Sequence, residues 1–375
     1  MPTIAQIRAS NAQISTSLPP GLVAVFAGAT NGIGESALLQ FAKNTVKPRI
    51  YFFGRSQEAG ERVRANLEKI NPDGEYIFKA VDLSLLSAVD EVSREIREKE
   101  KVVNLLFLST GTLVTGKETS ENLHLPFATA FFSRLRLTTN LLPLLRAPST
   151  SPNTLRRVVT VLAGTKEGPL LSHPPKPESK STTHDLQLRA PTAPSLLTPR
   201  GRGHTVTLTT LALEAIAREA PEVGFVHDFP GAVRSNLGRD LDGWGWKVAL
   251  GLVHGVVYPL LGLVGGLVPV EEAGERQVYF GTSGRFPGAS SSSSTGSAEG
   301  GDKGGDGVPV GEGVDVAVGT DGKVGSGVYS VTEAGESAGE KVVELLGGYR
   351  RDGTADAVWK WVEKEFVRIT GGVSI

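Results

Sequence analysis

Short apolar runs alternate with segments of helical periodicity along the first two thirds of the chain. The runs fall at 22–26, 49–53, 75–81, 102–108, 156–162 and 224–228. Runs of this length, rich in β-branched and aromatic residues, predict strands buried on both faces. Between them, 35–43, 57–70, 84–101, 120–146 and 203–219 read as helices. Strand–helix alternation of this kind predicts an α/β, Rossmann-type, doubly wound parallel sheet with helices on both faces. A seventh strand is expected at 327–332, and an amphipathic helix at 354–370, with Val358, Val362 and Ile369 on one side.

Ligands in such sheets bind beyond the carboxyl ends of the strands. The chain places chemistry there. Ala27-Gly28-Ala29-Thr30-Asn31-Gly32-Ile33-Gly34 follows the first strand and opens the first helix. The glycines let the backbone approach a pyrophosphate, and the first N–H groups of the helix point at it. The second strand ends in Gly54-Arg55-Ser56. An acidic residue there would hold the ribose 2′-hydroxyl of NAD, whereas Arg55 suits a 2′-phosphate, so NADP(H) is expected and NAD(H) is the alternative. Asp82-Leu83-Ser84 closes the third strand, and Asp82 either accepts from the adenine amine or caps the next helix. The fourth strand runs into Ser109-Thr110-Gly111. Gly28, Thr30–Gly34, Arg55, Ser56, Asp82, Leu83 and Gly111 are therefore the candidate cofactor contacts.

Composition narrows the rest. The formal net charge of −1 gives no global pull towards nucleic acid. The absence of cysteine excludes disulfides and thiolate metal sites, and the six histidines show no paired ligand spacing, so no metal is expected. No G-x-S-x-G elbow supports a hydrolase. Residues 1–17 lack the apolar core of a signal peptide; Ile4, Ile7 and Ile14 suggest a short helix ended by Pro19-Pro20, and a cytoplasmic protein is expected. Residues 244–270 approach a membrane span in length, but Lys247, His254, Pro259 and many glycines argue against one. Two readings stay open: an apolar lid, 240–270, over a lipophilic substrate, and an interfacial membrane contact. Residues 284–325 are Gly/Ser-rich and expected to be disordered. The organisation is then a helical extension (1–20), a dinucleotide-binding domain (21–283), a disordered insertion (284–325), and a strand and helix packing back on the domain (326–375).

Together these residues resemble the short-chain dehydrogenase/reductase superfamily. Its TGxxxGxG fingerprint appears with Ala27 for threonine, and its aspartate matches Asp82. Its NNAG turn is reduced to Leu108-Ser109-Thr110-Gly111, and its Pro-Gly turn matches Pro230-Gly231. The resemblance covers 22–281 and the C-terminal helix, and is greatest to divergent fungal members, often of secondary-metabolite clusters. It implies an NADP(H)-dependent oxidoreductase acting on a carbonyl or alcohol of a lipophilic small molecule. It adds Pro230, Gly231, Val233 and Ser235 to the cofactor site, and implies a homo-oligomer paired through 120–146 and 203–219. The departures lie in the chemistry. The family's tyrosine, lysine, serine and asparagine fall near Arg202, Val206, Ala163 and Ala130, and no tyrosine lies between the fifth and sixth strands. The active-site stretch, 172–203, is proline-rich and basic. Arg202, His204 and Thr165 are the polar groups nearest the missing chemistry. An imidazole exchanges protons near neutral pH, so His204 is either a proton donor or a surface histidine at a helix start. A non-catalytic dinucleotide-binding protein and a non-redox enzyme on the same fold are the competing functions.

Overall fold

The computed structural model describes residues 2–147, 155–172, 185–190, 193–194, 198–233, 267–292 and 306–375. In chain order its elements are α1 (Ile4–Ala12), α2 (Ile14–Ser17), β1 (Val23–Ala27), α3 (Gly32–Asn44), β2 (Arg49–Gly54), α4 (Gln57–Ile70), β3 (Glu75–Ala80), α5 (Leu86–Lys99) and β4 (Leu105–Leu108). Then come α6 (Leu125–Phe127), a π turn (Ala128–Phe132), α7 (Ser133–Leu145), β5 (Arg157–Val161), α8 (Pro199–Glu219), β6 (Gly224–Asp228), β7 (Ala232–Val233) and β8 (Leu267–Val268). Last are α9 (Val270–Thr282), α10 (Ala289–Ser292), β9 (Val328–Val331), α11 (Glu340–Arg351) and α12 (Thr354–Thr370).

Seven strands form one parallel sheet in the order β3-β2-β1-β4-β5-β6-β9. The order reverses between β1 and β4, which opens a crevice at their carboxyl ends. β1, β4 and β5 are buried along their whole length. Successive residues feed two cores: Ala24, Phe26, Phe107 and Val159 pack with α3 and α9, whereas Val23, Val25, Leu106 and Val158 pack with α5, α7 and α8. The expected doubly wound fold is therefore present, with boundaries moved by a few residues.

Local chemistry explains the moves. The strand expected at 102–108 begins at Leu105 because Asn104 turns its amide to the neighbouring chain, accepting from Val23 N at 2.9 Å and donating to Leu155 O at 3.2 Å. Ser84 does not cap α5; Glu121 does so from a distant loop, accepting from the amides of Leu86 (2.6 Å) and Ser87 (2.9 Å). The single helix expected over 120–146 starts only at Leu125, after a turn at Asn122 with φ of 57°, and widens into the π turn. α8 begins earlier than expected, at Pro199. A proline in the first helical position loses no hydrogen bond, and Thr198 caps it by accepting from Gly201 N at 3.2 Å.

Two terminal elements close the fold. α1 opens with a capping box between Thr3 and Gln6 and lies on α9, where Asn11 donates to Glu275 O at 2.8 Å. α12 lies across α8, α5 and the π turn. Its Trp361 packs on Phe131 (5.8 Å between centroids) and Phe132 (5.1 Å), and Arg136 of α7 sits 5.1 Å over Phe366. Arg136 also pairs with Asp90 at 2.6 Å and donates to the carbonyls of Gly372 and Val373.

The expectation of disorder over 284–325 is corrected wherever that stretch is described. Phe286, Val308 and Ala317 are buried. Gly284 and Val308 exchange backbone bonds with the end of α9 (Gly284 N to Val308 O, Val308 N to Thr282 O, both 2.7 Å). Asp306 answers Arg157, a guanidinium buried inside the central strand β5: Arg157 donates to Asp306 O at 3.1 Å, with the carboxylate 3.9 Å away. A few anchors therefore suffice to fix the described parts of this glycine- and serine-rich stretch. Residues 293–305 lie outside the described residues.

Candidate active site

Beyond the carboxyl ends of β1, β2, β4 and β5 lies a cavity of about 820 Å³, within the ~300–1,000 Å³ common for small-molecule sites. Its floor is the glycine turn. Gly28 has φ of +85°, and a Cβ there would meet Thr110 N at 2.8 Å; one at Gly34 would meet Gly28 O at 2.3 Å. The end of β4 thus presses onto the turn, and Ser109 fastens it by donating from Oγ towards the carbonyls of Ala27 and Gly28, each at 3.2 Å. Asn31 makes no side-chain cap on α3, which leaves the amides of the first turn to an anion. Thr30, Arg55, Asp82 and Leu83 complete this half of the cavity. The Asp82 carboxylate accepts from Ser84 N at 3.0 Å and also faces the cavity. Ser56 does not line it; its hydroxyl caps α4 by accepting from Ala59 N at 3.2 Å.

The other half is walled by Thr112, Leu113, Val114, Lys117, Leu125, and the π-turn residues Thr129 and Ala130, facing Arg202, Thr205 and Val206 of α8. Behind this wall Arg134 ties two strand ends together. It donates to Thr110 O through Nε and Nη2 and to Val161 O through Nη1 at 2.7 Å. Burial lowers its pKa, against the opposing pull of Asp228. Asp228 is itself pushed up to about 7 by burial and accepts from Gln277 Nε2 at 2.6 Å.

The four positions that the resemblance assigns to catalysis converge: Ala130, Ala163, Arg202 and Val206 all line this one cavity. Among the described residues the buried Arg202 Nε has no hydrogen-bond partner. His204 is different. It is fully buried, does not line the cavity, and its ring serves backbone: Nδ1 accepts from Leu171 N at 3.1 Å, so Nε2 carries the proton and donates to Leu186 O at 3.0 Å. Neither the proton-donor reading nor the surface-histidine reading fits that environment. Thr165 also stands outside the cavity, with φ of +66° and its amide on Ser330 Oγ at 2.7 Å. Pro230 and Gly111 line the cavity, whereas Gly231 and Val233 do not; Val233 pairs with Val268. Ser235 and residues 240–266 of the expected lid lie outside the described residues. Ser109, Thr110, Lys117 and Arg134 are site residues that sequence reasoning did not assign; for Arg134 the signal was its position four residues after Ala130, on the same helix face.

A model of the short chain dehydrogenase family matches residues 22–153. The chain is 33% identical to the oxidoreductase andH of Emericella variicolor over 377 residues, covering 99% of this chain and 98% of that one. The chain belongs to the short-chain dehydrogenase/reductase superfamily. Another superfamily member, the short-chain dehydrogenase/reductase SAT2 of Stachybotrys chartarum, is 28% identical over 96% of this chain and 95% of its own. Among solved structures, L-sorbose reductase from Gluconobacter frateurii, complexed with NADPH and L-sorbose, aligns with a TM-score of 0.47 at 16% identity, covering 70% of this chain and 90% of that one. The chain is thus an oxidoreductase of this superfamily, with its NAD(P)-binding Rossmann fold. Among the described residues no helix is long and apolar enough to cross a membrane.

Proposed function

We propose that the protein is an NADP(H)-dependent reductase of lipophilic carbonyl compounds in which a guanidinium stands where the superfamily places its tyrosine. The observation that carries this reading is the convergence of Ala130, Ala163, Arg202 and Val206 beside the dinucleotide turn. The cradle at Gly28 and Gly34 fits a pyrophosphate, and Arg55 fits a 2′-phosphate. A bound reduced nicotinamide supplies the hydride. The chain's own part is to orient the carbonyl, exclude water, and meet the charge that grows on oxygen. Leu113, Val114, Leu125 and Val206 give an apolar wall, which suits a lipophilic substrate. Arg202 brings a fixed positive charge to the reacting oxygen. A guanidinium keeps its protons, so it stabilises the oxyanion, and the final proton comes from solvent. The fungal origin of both relatives supports a place in secondary metabolism.

The lost tyrosine and lysine favour a second reading, a dinucleotide-binding protein without turnover. NADPH oxidation against a panel of lipophilic ketones, enones and quinones separates the two. Oxidation in wild type that is slowed by Arg202→Gln supports the reductase, whereas tight NADPH binding without oxidation by any substrate supports the second reading.

A further inference from the structure

Arg202 and Val206 reach the cavity from one face of α8, and Thr210 follows on that face one turn deeper. There it joins a buried polar cluster. The Thr210 hydroxyl donates to Glu167 Oε1 at 2.8 Å and meets His227 Nδ1 at 2.9 Å. A hydroxyl has one proton to give, so His227 Nδ1 carries the imidazole proton and donates it to Thr210. Ser330 Oγ donates to the same Glu167 oxygen at 2.6 Å and accepts from Thr165 N at 2.7 Å. His227, Thr210 and Ser330 are buried. Thr160 stands beside His227 in the sheet register, two residues before the cavity-lining Leu162. Among the described residues, His227 Nε2, Thr160 Oγ1 and Glu167 Oε2 are buried without a hydrogen-bond partner. Native interiors meet such groups with bound water.

Hydrogen bonds in this order can carry a proton either way. With Glu167 ionised, the order is that of the structure. With Glu167 protonated, every bond reverses: the carboxyl donates to Thr210, Thr210 donates to Nδ1, and Nε2 carries the imidazole proton. We infer that Glu167, Thr210 and His227 form a proton wire by which the solvent proton reaches the reacting oxygen, across water at Nε2. In reduction the hydride bonds to the carbonyl carbon and the π pair passes to oxygen. That oxygen takes a proton across the water from Nε2, Nδ1 takes one from Thr210, and Thr210 takes one from Glu167. Each centre between makes one bond to hydrogen and breaks one. Glu167 is left ionised and is protonated again from solvent, which its exposed neighbour Lys166 already meets. None of the three touches the substrate; they act behind Arg202. The inference rests on the reductase reading, but the wire itself is readable without turnover.

The surrounding charges suit the role. Burial raises the Glu167 carboxyl; the hydroxyls of Ser330 and Thr210 oppose this, and Glu214, paired with Arg350 at 2.7 Å, adds to it. Burial and Arg134 hold His227 down at about 3, so the ring stays neutral while its tautomer changes. The Lys166 ammonium lies over Phe229, 5.1 Å from the ring centre. Asp228, the next residue in β6, points to the other face of the sheet and accepts from Gln277.

The test is ¹⁵N NMR of the histidine-labelled full chain, with the His227 signals assigned by their loss in His227→Gln and their shift in Thr210→Val. As pH rises from 5 to 9, His227 should change from the Nε2–H to the Nδ1–H tautomer without a doubly protonated ring. Glu167→Gln keeps an oxygen for Ser330 and Thr210 but exchanges no proton, so it should hold His227 in one form. Single-turnover oxidation of bound NADPH by a reactive carbonyl acceptor should fall about tenfold per pH unit on the alkaline side. That limb should persist in Arg202→Gln and vanish in Glu167→Gln, whereas a merely structural Glu167 would leave it in place. A single His227 tautomer in wild type, or a switch that persists in Glu167→Gln, overturns the inference. So does turnover whose limb is lacking in wild type or survives in Glu167→Gln. If no acceptor oxidises bound NADPH, the reductase reading fails, and the tautomer switch then decides whether the wire exists.

Discussion

At the scale of residues, the site turns on one exchange. A tyrosine would both polarise a carbonyl and give it a proton, whereas in the proposed function Arg202 would do only the first. General acid catalysis is typically worth ~10²–10⁴-fold, so the rate rests on electrostatics and proximity. Arg202→Gln should lower kcat by about 10²-fold, the loss of one oxyanion contact, and leave NADPH affinity unchanged; steady-state kinetics with a separate NADPH titration checks both. Because the proposed role of Arg202 transfers no proton, kcat should lack a limb from the catalytic cation between pH 6 and 9. A steep limb in wild type that vanishes in Arg202→Gln would contradict this. A second residue-scale prediction concerns Asp228 and His227, both fully buried. Burial raises Asp228 to about 7 and lowers His227 to about 3. The folded state therefore holds the Asp228 proton that the unfolded state has lost above pH 4, which costs stability as pH rises from 4 to 7. It refuses the proton that unfolded histidine takes up below about 6.5, which costs stability as pH falls through that range. The two slopes nearly cancel between pH 4 and 6.5. Asp228→Asn should unmask the histidine slope, so its Tm should fall more steeply than that of wild type between pH 6.5 and 4. The place of Arg202 at the cavity was legible in the sequence through the superfamily resemblance, which sets the tyrosine position near it, although the helix was read as starting one residue later. The burial of His204 was not, because its backbone partners Leu171 and Leu186 lie in a proline-rich stretch of sequence with no apolar periodicity.

At the scale of elements, the strands were legible because burial on both faces leaves uninterrupted apolar runs, and only their ends moved. The helix over 120–146 was legible as helix but not as a break; in the π turn Phe131 and Phe132 pack against Trp361, more than two hundred residues away and invisible to local periodicity. The described parts of 284–325 were misread for a different reason. Gly/Ser-rich composition argues against a core but is silent about single anchors, and Asp306 is one. Replacing Asp306 with alanine leaves the buried Arg157 without its carboxylate, and removing one partner of a buried pair costs about 3–5 kcal/mol. Urea denaturation of Asp306→Ala should show a loss of that order; a change below about 1 kcal/mol, as for an exposed pair, would contradict the anchoring role. Exchanging 306–325 for a Gly-Ser linker should be at least as damaging.

At the scale of the whole molecule, α7 and α8 are covered from both sides. α8 is buried without interruption from Gly203 to Leu213, and α12 and Arg136 seal the side away from the sheet. Pairing of two copies through these helices, implied by the superfamily resemblance, would need α12 to leave. Light scattering should therefore report a monomer for the intact chain, and a chain cut before α12 should self-associate or lose its cooperative melt. An intact chain that dimerises through α7 and α8 would contradict this arrangement.

The fold brings a dinucleotide turn, an apolar wall and Arg202 to a single cavity, and in the proposed function hydride transfer takes place there. Single-turnover loss of nicotinamide fluorescence from enzyme-bound NADPH, on mixing with lipophilic carbonyl compounds, measures that step alone. Oxidation is expected at a rate that rises with the acceptor's ability to hold negative charge on oxygen, and that drops about 10²-fold in Arg202→Gln. NADPH that binds tightly and is oxidised by none of the acceptors, or oxidised equally fast by Arg202→Gln, would contradict it.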